Sequence, residues 1–548
     1  MSFPTRTDLL LLLLFGGILV ALGITAWHVR SGLSPDSVTY VDAAQSLLRG
    51  QGLSHRWAYW DPVYETYQLP TRTTLWPPGY PLAIAALAAS GMNTVSAARL
   101  VSFLAVLGLF VIMFGLLRYF LMPVLAVVAV FFLVTLLPLV GFYASVSSEP
   151  GFLFLGTLSL FWTLQAVIVE DRRRACYYWL VASVAAGVAF LFRYVGLSCV
   201  TAVAVTSLWM TWTEKDERRW YYRSAAVLPS GLIIATVFCR NYVTTKGYGQ
   251  SVAGADVFWS TLVSSCKAVV VDLIGWEGSS GSRIIRMISV GYLGLLLALF
   301  LLAVRAFVGF LTTTSKDHLK KPEIVASCIT ALFMVLYLLV VVGGRLDKGM
   351  DVEPRYVTVI CPWLFLLVMG WALHGPTKQS LQRNRGMGVP RSATLVYVLF
   401  VLCQGVLVGR WFLEPVHDDY VSDTKDSPVV SWLKTNATET EVILSTRGAE
   451  VAYWRPNPVL KLPRIPYSGV NVTSWDTVDQ IADKAHARFL VHFFGTFSES
   501  KWNRKQIAFL RTLDIPGAVP NRQSIVFDDG VIYRVGTIRT ARVNDAGE

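Results

Sequence analysis

Long apolar runs are the feature that most constrains how this chain can fold. A membrane core about 30 Å thick requires roughly 20 apolar residues per helix, because lipid cannot satisfy exposed backbone groups. About eleven segments fit this template. They are approximately 9–27, 94–117, 122–143, 150–169, 177–193, 195–212, 224–241, 285–308, 323–342, 356–374 and 393–411. Only 15% of the residues are charged, against about 25% in soluble proteins. The sequence therefore predicts an α-helical polytopic membrane protein.

Basic residues in the short connections predict how the chain is oriented. The net charge is +12, but the excess lies between apolar runs, which is typical of membrane topology rather than of a nucleic-acid-binding face. Alternate connections are basic, at 171–174, 214–219, 316–321 and 378–385. Because Lys and Arg remain on the cytoplasmic side, we predict a cytoplasmic amino terminus and a periplasmic or otherwise extracytoplasmic carboxyl-terminal tail. Chain size and this tail favour a bacterial inner membrane.

The apolar pattern divides the chain into two predicted domains. Residues 1–411 form a transmembrane catalytic domain, whose first outer loop, 28–93, carries interfacial helices. Residues 412–548 form a small extracytoplasmic α/β domain, because strand-length apolar runs there alternate with helix-like stretches. This tail contains neither glycine-rich nucleotide fingerprint, so no nucleotide is assigned to it.

Ionisable residues on the predicted outer side suggest a polar site at the membrane surface. Such groups are expensive near lipid, so each raises a functional question. They are Asp36, Asp42, Asp61, Glu65, Glu149, Arg193, Glu353 and Arg355. All share one side of the membrane under the predicted topology, and this convergence favours a single outward-facing site.

Five of these residues also have a structural explanation. Asp36 follows Ser34-Pro35 and could simply cap the helix predicted at 36–49. Asp42 would then be solvated on the polar face of that helix. Glu149 precedes Pro150 at the start of a span, which is again a capping position. Arg193 and Arg355 could extend toward lipid phosphates.

One further group in the first outer loop could bind a divalent metal ion. Its members are His55, Asp61 and Glu65. Their spacing is not diagnostic of a metal site.

A carboxylate combined with arginines suits group transfer from a lipid phosphate. The carboxylate would deprotonate an acceptor hydroxyl as it attacks the anomeric carbon of a sugar. Arginines can bind the phosphate bidentately and stabilise its developing charge. Because phosphate is already a stable leaving group, a separate general acid is not required, in contrast to glycoside hydrolysis.

Four local patterns resemble a known family. They are Asp36-x-x-x-Tyr40, Trp76-Pro77-Pro78-Gly79-Tyr80-Pro81, Ser148-Glu149-Pro150 and Glu353-x-Arg355-Tyr356. In this order and with this common sidedness, the chain resembles the GT-C superfamily of membrane glycosyltransferases, which includes protein O-mannosyltransferases and lipid A aminoarabinose transferases.

The resemblance implies an inverting transfer from a polyprenyl-phosphate-linked sugar to a glycan, lipid or protein acceptor outside the cytoplasm. Asp36 matches the catalytic base, and Glu149 matches a second acidic position near acceptor or metal. Arg355 would bind the donor phosphate, with Arg193 as a further partner. The candidate substrate-pocket residues are Tyr40, Trp76, Tyr80, Glu353 and Tyr356. Many members carry two adjacent acids where this chain has Asp36-Ser37, so metal dependence stays open.

Two other functions share parts of this pattern. A lipid-linked glycan ligase or polymerase would use the same topology but transfer an oligosaccharide. A lipid-sugar transporter or flippase would favour ionisable residues near the middle of spans, whereas those found here cluster toward one face.

Overall fold

The computed structural model describes residues 6–29, 33–59, 70–74, 76–134, 146–213, 219–245, 322–347, 362–367, 427–454, 457–462, 474–494, 509, 511–513 and 523–535. Contacts divide the chain into two compact units. The helical unit consists of Met1–Ser31, Trp76–Tyr248 and Gly254–His417. The sheet unit consists of Gly32–Leu75, Gly249–Ala253 and Asp418–Glu548.

The helices of the described residues follow the apolar runs of the sequence. In chain order they are α1 (Arg6–Val29), α2 (Pro35–Leu48), α3 (Gly79–Ala88), α4 (Thr94–Leu117), α5 (Pro123–Val134), α6 (Glu149–Ile168), α7 (Arg172–Phe192), α8 (Leu197–Thr213), α9 (Arg219–Thr245), α10 (Pro322–Asp347), α11 (Pro428–Asn436), α12 (Gly448–Trp454) and α13 (Trp475–Ala485).

Five helices among the described residues are long and apolar enough to cross a membrane. These stretches are Thr94–Leu117, Glu149–Ile168, Arg172–Phe192, Tyr194–Thr211 and Val227–Thr244. Shorter apolar stretches are Leu9–Thr25, Gly79–Ala88 and Val325–Val341. The chain is therefore an integral membrane protein. The predicted spans 285–308 and 393–411 lie outside the described residues, as does most of 356–374, so the count of about eleven stays a prediction.

Small residues allow the helices of the helical unit to pack closely. Gly108 on α4 lies against the ring of Phe154 on α6, and Gly151 lies against the ring of Phe192. A hydroxyl also joins α6 to α7, because Ser159 donates a hydrogen bond to the carbonyl of Ala182 at 3.0 Å. Glycine and serine at such contacts are what membrane helices use to approach one another.

The sheet unit contains a mixed sheet of six strands. The strands of the described residues are β1 (Ser54–His55), β2 (Trp57–Tyr59), β3 (Thr71–Arg72), β4 (Val442–Ser445), β5 (Val459–Lys461), β6 (Ala487–Phe493), β7 (Ser524–Phe527) and β8 (Gly530–Arg534). The sheet order is β2-β5-β4-β6-β8-β7, and β1 pairs separately with β3. Strands β2, β5, β4 and β6 are mutually parallel, whereas β8 and β7 add antiparallel.

Helices cover both faces of this sheet. On one face, Leu444, Leu460 and Leu490 pack in an apolar core with Ile481 of α13. On the opposite face, the ring of Trp432 from α11 meets Phe489 edge-on at 5.4 Å between centroids. Because successive strand residues point to opposite faces, the fully buried strands β4 and β5 supply both cores.

The first outer loop contributes to this sheet, which differs from the domain division drawn from the sequence. Strand β2 pairs in parallel with β5, with Trp57 opposite Val459 and Tyr59 opposite Lys461. Residues 32–75 therefore belong with the carboxyl-terminal segment, whereas the sequence pattern grouped 28–93 with the membrane domain. A strand of three residues depends on its partner for stability, and that partner lies far away in the sequence.

Candidate functional site

Asp36 lies in the first turn of α2, but it is not the residue that caps this helix. Ser34 is the N-cap, and its hydroxyl accepts a hydrogen bond from the backbone N–H of Ser37 at 3.2 Å. The Ser37 hydroxyl in turn accepts from the backbone N–H of Ser34 at 3.1 Å, which completes a capping box. Pro35 occupies the first helical position, and Asp36 follows it, partly exposed. The explanation of Asp36 as the helix cap is therefore wrong.

Asp42 is buried rather than solvated. Its side chain is 3% exposed and forms an ion pair with Arg56, whose Nε lies 2.7 Å from Oδ1. The backbone N–H of Arg56 donates to Oδ2 at 2.6 Å. Burial raises the pKa of the Asp42 carboxyl, and the Arg56 charge opposes this rise. Because Arg56 occupies both oxygens, Asp42 fixes α2 to the chain that enters β2.

His55 has the surroundings of a buried neutral imidazole. Its ring Nδ1–H donates to the backbone carbonyl of Thr71 at 3.1 Å, across the β1–β3 pair. Burial lowers the pKa of His55 to about 3. The other two candidate metal ligands, Asp61 and Glu65, lie outside the described residues. Within the part of the chain that the structure describes, no three His, Cys, Asp or Glu side chains gather in a way that could bind a metal.

In the helical unit, the structure brings together Glu149 and Arg193. Glu149 begins α6 and Arg193 ends α7, and these antiparallel helices place the two side chains in a direct ion pair. The side chains are 4% and 12% exposed, respectively. Ser147 donates its hydroxyl to Glu149 Oε2 at 2.5 Å, and Arg193 donates to the Ser148 hydroxyl at 3.4 Å. The pair lies at the helix ends opposite to the basic loop at 171–174.

Tyr80 forms a hydrogen-bond network with the segment that precedes Glu149. It is 0% exposed, and its hydroxyl accepts from the backbone N–H of Ser147 and donates to the carbonyl of Ala98, both at 3.0 Å. Ser102 joins the same network, because it lies 3.0 Å from the Tyr80 hydroxyl and donates to the Ser147 carbonyl at 3.1 Å. Tyr80 therefore holds the segment that precedes Glu149, and its place in a substrate pocket stays a prediction.

The glycine before Tyr80 is required by the same packing. A Cβ atom at Gly79 would lie 2.7 Å from the backbone carbonyl of Leu191, two residues before Arg193. Any side chain there would push α3 away from the carboxyl end of α7. This contact explains why the turn 76–81 has glycine between proline and tyrosine.

Arg99 is a candidate that the sequence analysis missed. It is buried in the second turn of α4, next to Ala98, and its charge acts on the Tyr80 hydroxyl. Arg99 and Glu149 both lie close enough to the Tyr80 hydroxyl for their charges to act on it. A basic side chain inside an apolar run could have identified Arg99. It was overlooked because it lies within the predicted span that begins at residue 94.

The remaining candidates are distributed between the units. Tyr40 is buried on α2 in the sheet unit, and Trp76 is half-buried in the helical unit. Glu353, Arg355 and Tyr356 lie outside the described residues. The predicted phosphate-binding role of Arg355 therefore stays a prediction.

The whole chain is similar in fold to two solved membrane enzymes. No family model matches the sequence, and no curated protein matches it. ArnT from Cupriavidus metallidurans, in a structure bound to undecaprenyl phosphate, is 12% identical, with a TM-score of 0.54 over 97% of this chain and 98% of ArnT. AglB, the oligosaccharyltransferase from Archaeoglobus fulgidus, in complex with an inhibitory peptide and a dolichol-phosphate, is also 12% identical, with a TM-score of 0.55 over 99% of this chain and 76% of AglB.

At this level of identity the likeness concerns the fold. Both proteins are GT-C glycosyltransferases, of lipid A aminoarabinose and of oligosaccharide, respectively. The resemblance expected from the four sequence patterns is thereby confirmed at the level of the fold, which the chain shares with these two GT-C proteins.

Proposed function

We propose that this protein is an inverting glycosyltransferase that moves a sugar from a polyprenyl-phosphate carrier to an acceptor on the extracytoplasmic side of the membrane. The observation that carries the proposal is the likeness, over nearly the full length of both chains, to ArnT in a structure that contains undecaprenyl phosphate. The proposed membrane is the bacterial inner membrane, with the amino terminus in the cytoplasm.

Asp36 is the proposed general base. The acceptor hydroxyl attacks the anomeric carbon while the Asp36 carboxylate takes its proton. The bond between the anomeric carbon and the phosphate oxygen breaks, and the carrier leaves as polyprenyl phosphate with the bonding electron pair. A single displacement inverts the anomeric configuration. Two observations support this choice: Ser34 already provides the helix cap, and Asp36 is more exposed than Asp42.

Arg193 is a proposed ligand of the donor phosphate, together with Arg355, and we add Arg99 to this proposed set because it is buried in α4 and its charge acts on Tyr80. A guanidinium group binds phosphate through two parallel hydrogen bonds and stabilises the charge that develops as the bond breaks. Glu149 pairs with Arg193 and therefore fixes the orientation of its guanidinium group.

Metal dependence of the proposed transfer stays open, because Asp61 and Glu65, two of the three candidate ligands, lie outside the described residues. The buried, neutral His55 already donates to the Thr71 carbonyl, and no cluster of three metal-ligating side chains is present in the described part of the chain. The proposed proton transfer and phosphate binding are assigned to Asp36 and to the arginines.

Transfer of a whole oligosaccharide is the second candidate function. It is favoured by the likeness to AglB, an oligosaccharyltransferase whose TM-score of 0.55 is nearly the same as the 0.54 of ArnT. A lipid-sugar flippase is the third candidate, since the same membrane architecture could move a carrier without breaking a bond.

The test uses the full-length protein purified in detergent and reconstituted into liposomes. Polyprenyl-phosphate monosaccharides with a radiolabelled sugar are supplied with acceptor fractions of membrane lipid, glycan or protein. The expected result is release of polyprenyl phosphate and an acceptor heavier by one sugar, with inverted anomeric configuration by NMR.

Three other outcomes would reject this function. A product carrying a complete oligosaccharide supports the ligase. Movement of the intact carrier between leaflets without bond cleavage supports the flippase. Transfer from a nucleotide sugar in the absence of the lipid carrier excludes a polyprenyl-phosphate donor.

A further inference from the structure

The sheet unit links the proposed base to a sheet built mainly from the other end of the chain. Helix α2 carries Asp36 in its first turn and Asp42 in its second. Asp42 receives two hydrogen bonds from Arg56, and Arg56 directly precedes β2. A continuous set of short polar contacts therefore connects the helix that carries Asp36 to the first strand of the mixed sheet.

Strand β2 is in turn fixed by residues of the carboxyl-terminal segment. It pairs in parallel with β5 over three positions. The Lys461 ammonium group, at the end of β5, lies over the ring of Trp57 at 5.5 Å from the centroid. Lys461 is buried, and its Cβ packs so closely on Gly448 of α12 that a methyl group there would lie 2.9 Å away. Helix α2 itself packs against α12.

We propose that Asp42 and Arg56 are positioning residues, which hold Asp36 in its reactive place by fixing α2 to the mixed sheet. This inference rests on the proposed function of Asp36. It also gives the carboxyl-terminal segment an indirect role in catalysis. Strand β5, Lys461 and α12 contact β2 and α2 and so hold the helix that carries Asp36.

The physical reason lies in the geometry of proton transfer. A carboxylate must lie within hydrogen-bond reach of the hydroxyl it deprotonates, and a shift of about 1 Å can reduce a rate on the order of 100-fold. Helix α2 has 14 residues, and a helix this short is marginally stable without tertiary contacts. Its orientation therefore depends on contacts such as the Asp42–Arg56 pair.

The experiment measures kcat and KM of the full-length protein in liposomes, with the polyprenyl-phosphate monosaccharide as donor. Asp42→Asn keeps the side-chain shape but removes the charge that Arg56 binds. We expect kcat to fall on the order of 10- to 100-fold, with KM for the donor changed by less than about twofold. Arg56→Met should lower kcat less, because its backbone N–H still donates to Asp42, and Arg56→Lys should restore part of the activity.

A matched control comes from another carboxylate–guanidinium pair of the same unit. Glu441, directly before β4, pairs with Arg488 on β6. Glu441→Gln disturbs the mixed sheet without touching α2, so kcat should remain within about twofold of the parent protein. If Glu441→Gln and Asp42→Asn lower kcat equally, the effect reports general sheet stability and the proposal is wrong.

The decisive measurement combines Asp42→Asn with Asp36→Asn. If Asp42 acts only through Asp36, its substitution should change the residual rate of the Asp36→Asn protein by less than about twofold, because the two losses are not independent. If the double variant instead loses activity by the product of the two single-variant factors, the positioning role is wrong. If Asp42→Asn does not fold, Arg56→Met replaces it in the same cycle.

Failure of this inference differs from failure of the proposed function. Near-normal transfer by Asp36→Asn would reject Asp36 as the base. The opposite result is also possible: Asp36→Asn loses transfer, but Asp42→Asn and Arg56→Met both keep the parent kcat. Asp36 would then remain the general base, and the positioning role of Asp42 and Arg56 would be rejected.

Discussion

Replacement of Asp36 by asparagine separates catalysis from helix stability. Asparagine keeps the size of the side chain but cannot accept the proton from the acceptor hydroxyl. General-base catalysis contributes about 10²- to 10⁴-fold. At about 1.36 kcal/mol for each factor of ten, this corresponds to a barrier roughly 2.7–5.4 kcal/mol higher. We therefore expect transfer by Asp36→Asn to fall by at least about 100-fold.

The structural cost of the same change is small and can be bounded. Ser34 retains the cap, so Asp36→Asn removes only the interaction of a first-turn carboxylate with the helix dipole, which is worth about 0.3–1 kcal/mol. Against a typical folding stability of about 5–15 kcal/mol, this loss leaves nearly all molecules folded. A 100-fold loss of transfer could not then be attributed to unfolding.

Helix α13 of the sheet unit offers a matched control at Asp476. Ser474 caps this helix, Trp475 is its first residue, and Asp476 is its second, which is the same arrangement as Ser34, Pro35 and Asp36. Asp476→Asn therefore removes the same dipole interaction from a helix with no proposed catalytic role. Its transfer rate should equal that of the parent protein.

The assay follows release of polyprenyl phosphate by each purified variant in liposomes, alongside thermal unfolding. The reasoning would be refuted if Asp36→Asn kept more than about a tenth of the parent rate, since a lost base costs far more. Equal losses in Asp36→Asn and Asp476→Asn would refute it as well, because the effect would then belong to helix ends in general.

Three further predictions concern stability. Glu149→Gln should destabilise the solubilised protein by about 3–5 kcal/mol, because it removes the carboxylate that pairs with the largely buried Arg193 guanidinium group. The double variant with Arg193→Gln should recover part of this loss in thermal unfolding, and strict additivity would contradict the pairing. Tyr80→Phe should cost about 1–3 kcal/mol by leaving a buried backbone N–H without its acceptor, and an unchanged unfolding midpoint would contradict the network. Since burial lowers the pKa of His55 to about 3 from about 6.5 in the unfolded chain, stability is retained above pH 6.5. The free energy of unfolding should fall as the pH decreases from about 6.5 to about 3, by at most about 1.4 kcal/mol per pH unit. His55→Gln should flatten this dependence in denaturation at pH 7 and 5, and an identical slope would exclude His55 as its source.

The sequence predicted the membrane helices well because their signal is local. The predicted span 94–117 matches α4 residue for residue, and Glu149 and Arg193 meet at one membrane end, as the alternation of basic loops required. Lipid imposes the same rule on each spanning helix separately, so a single segment contains enough information to identify it.

The sheet unit could not be predicted in the same way, because strand pairing is not local. Trp57–Tyr59 are three residues whose partners, Val459–Lys461, lie at the other end of the chain. Neither segment alone specifies the other. The cap of α2 was within reach, by contrast, since Ser34-Pro35 matches the preference for serine at the N-cap and proline at the first helical position.

Burial and exposure distinguish the three acidic residues of the predicted outward-facing site that lie among the described residues. A raised pKa alone would favour Asp42, since burial strengthens proton binding by its carboxyl. Its oxygens, however, are occupied by two donors of Arg56 at 2.6 and 2.7 Å, so an acceptor hydroxyl would have to displace an ion pair. Glu149 is likewise engaged by Arg193 and Ser147. Asp36 is the most exposed of the three, and its helix is capped by another residue. A general base must reach its substrate before its proton affinity matters, and this order of requirements favours Asp36, with the other two carboxylates as the supports of charged partners.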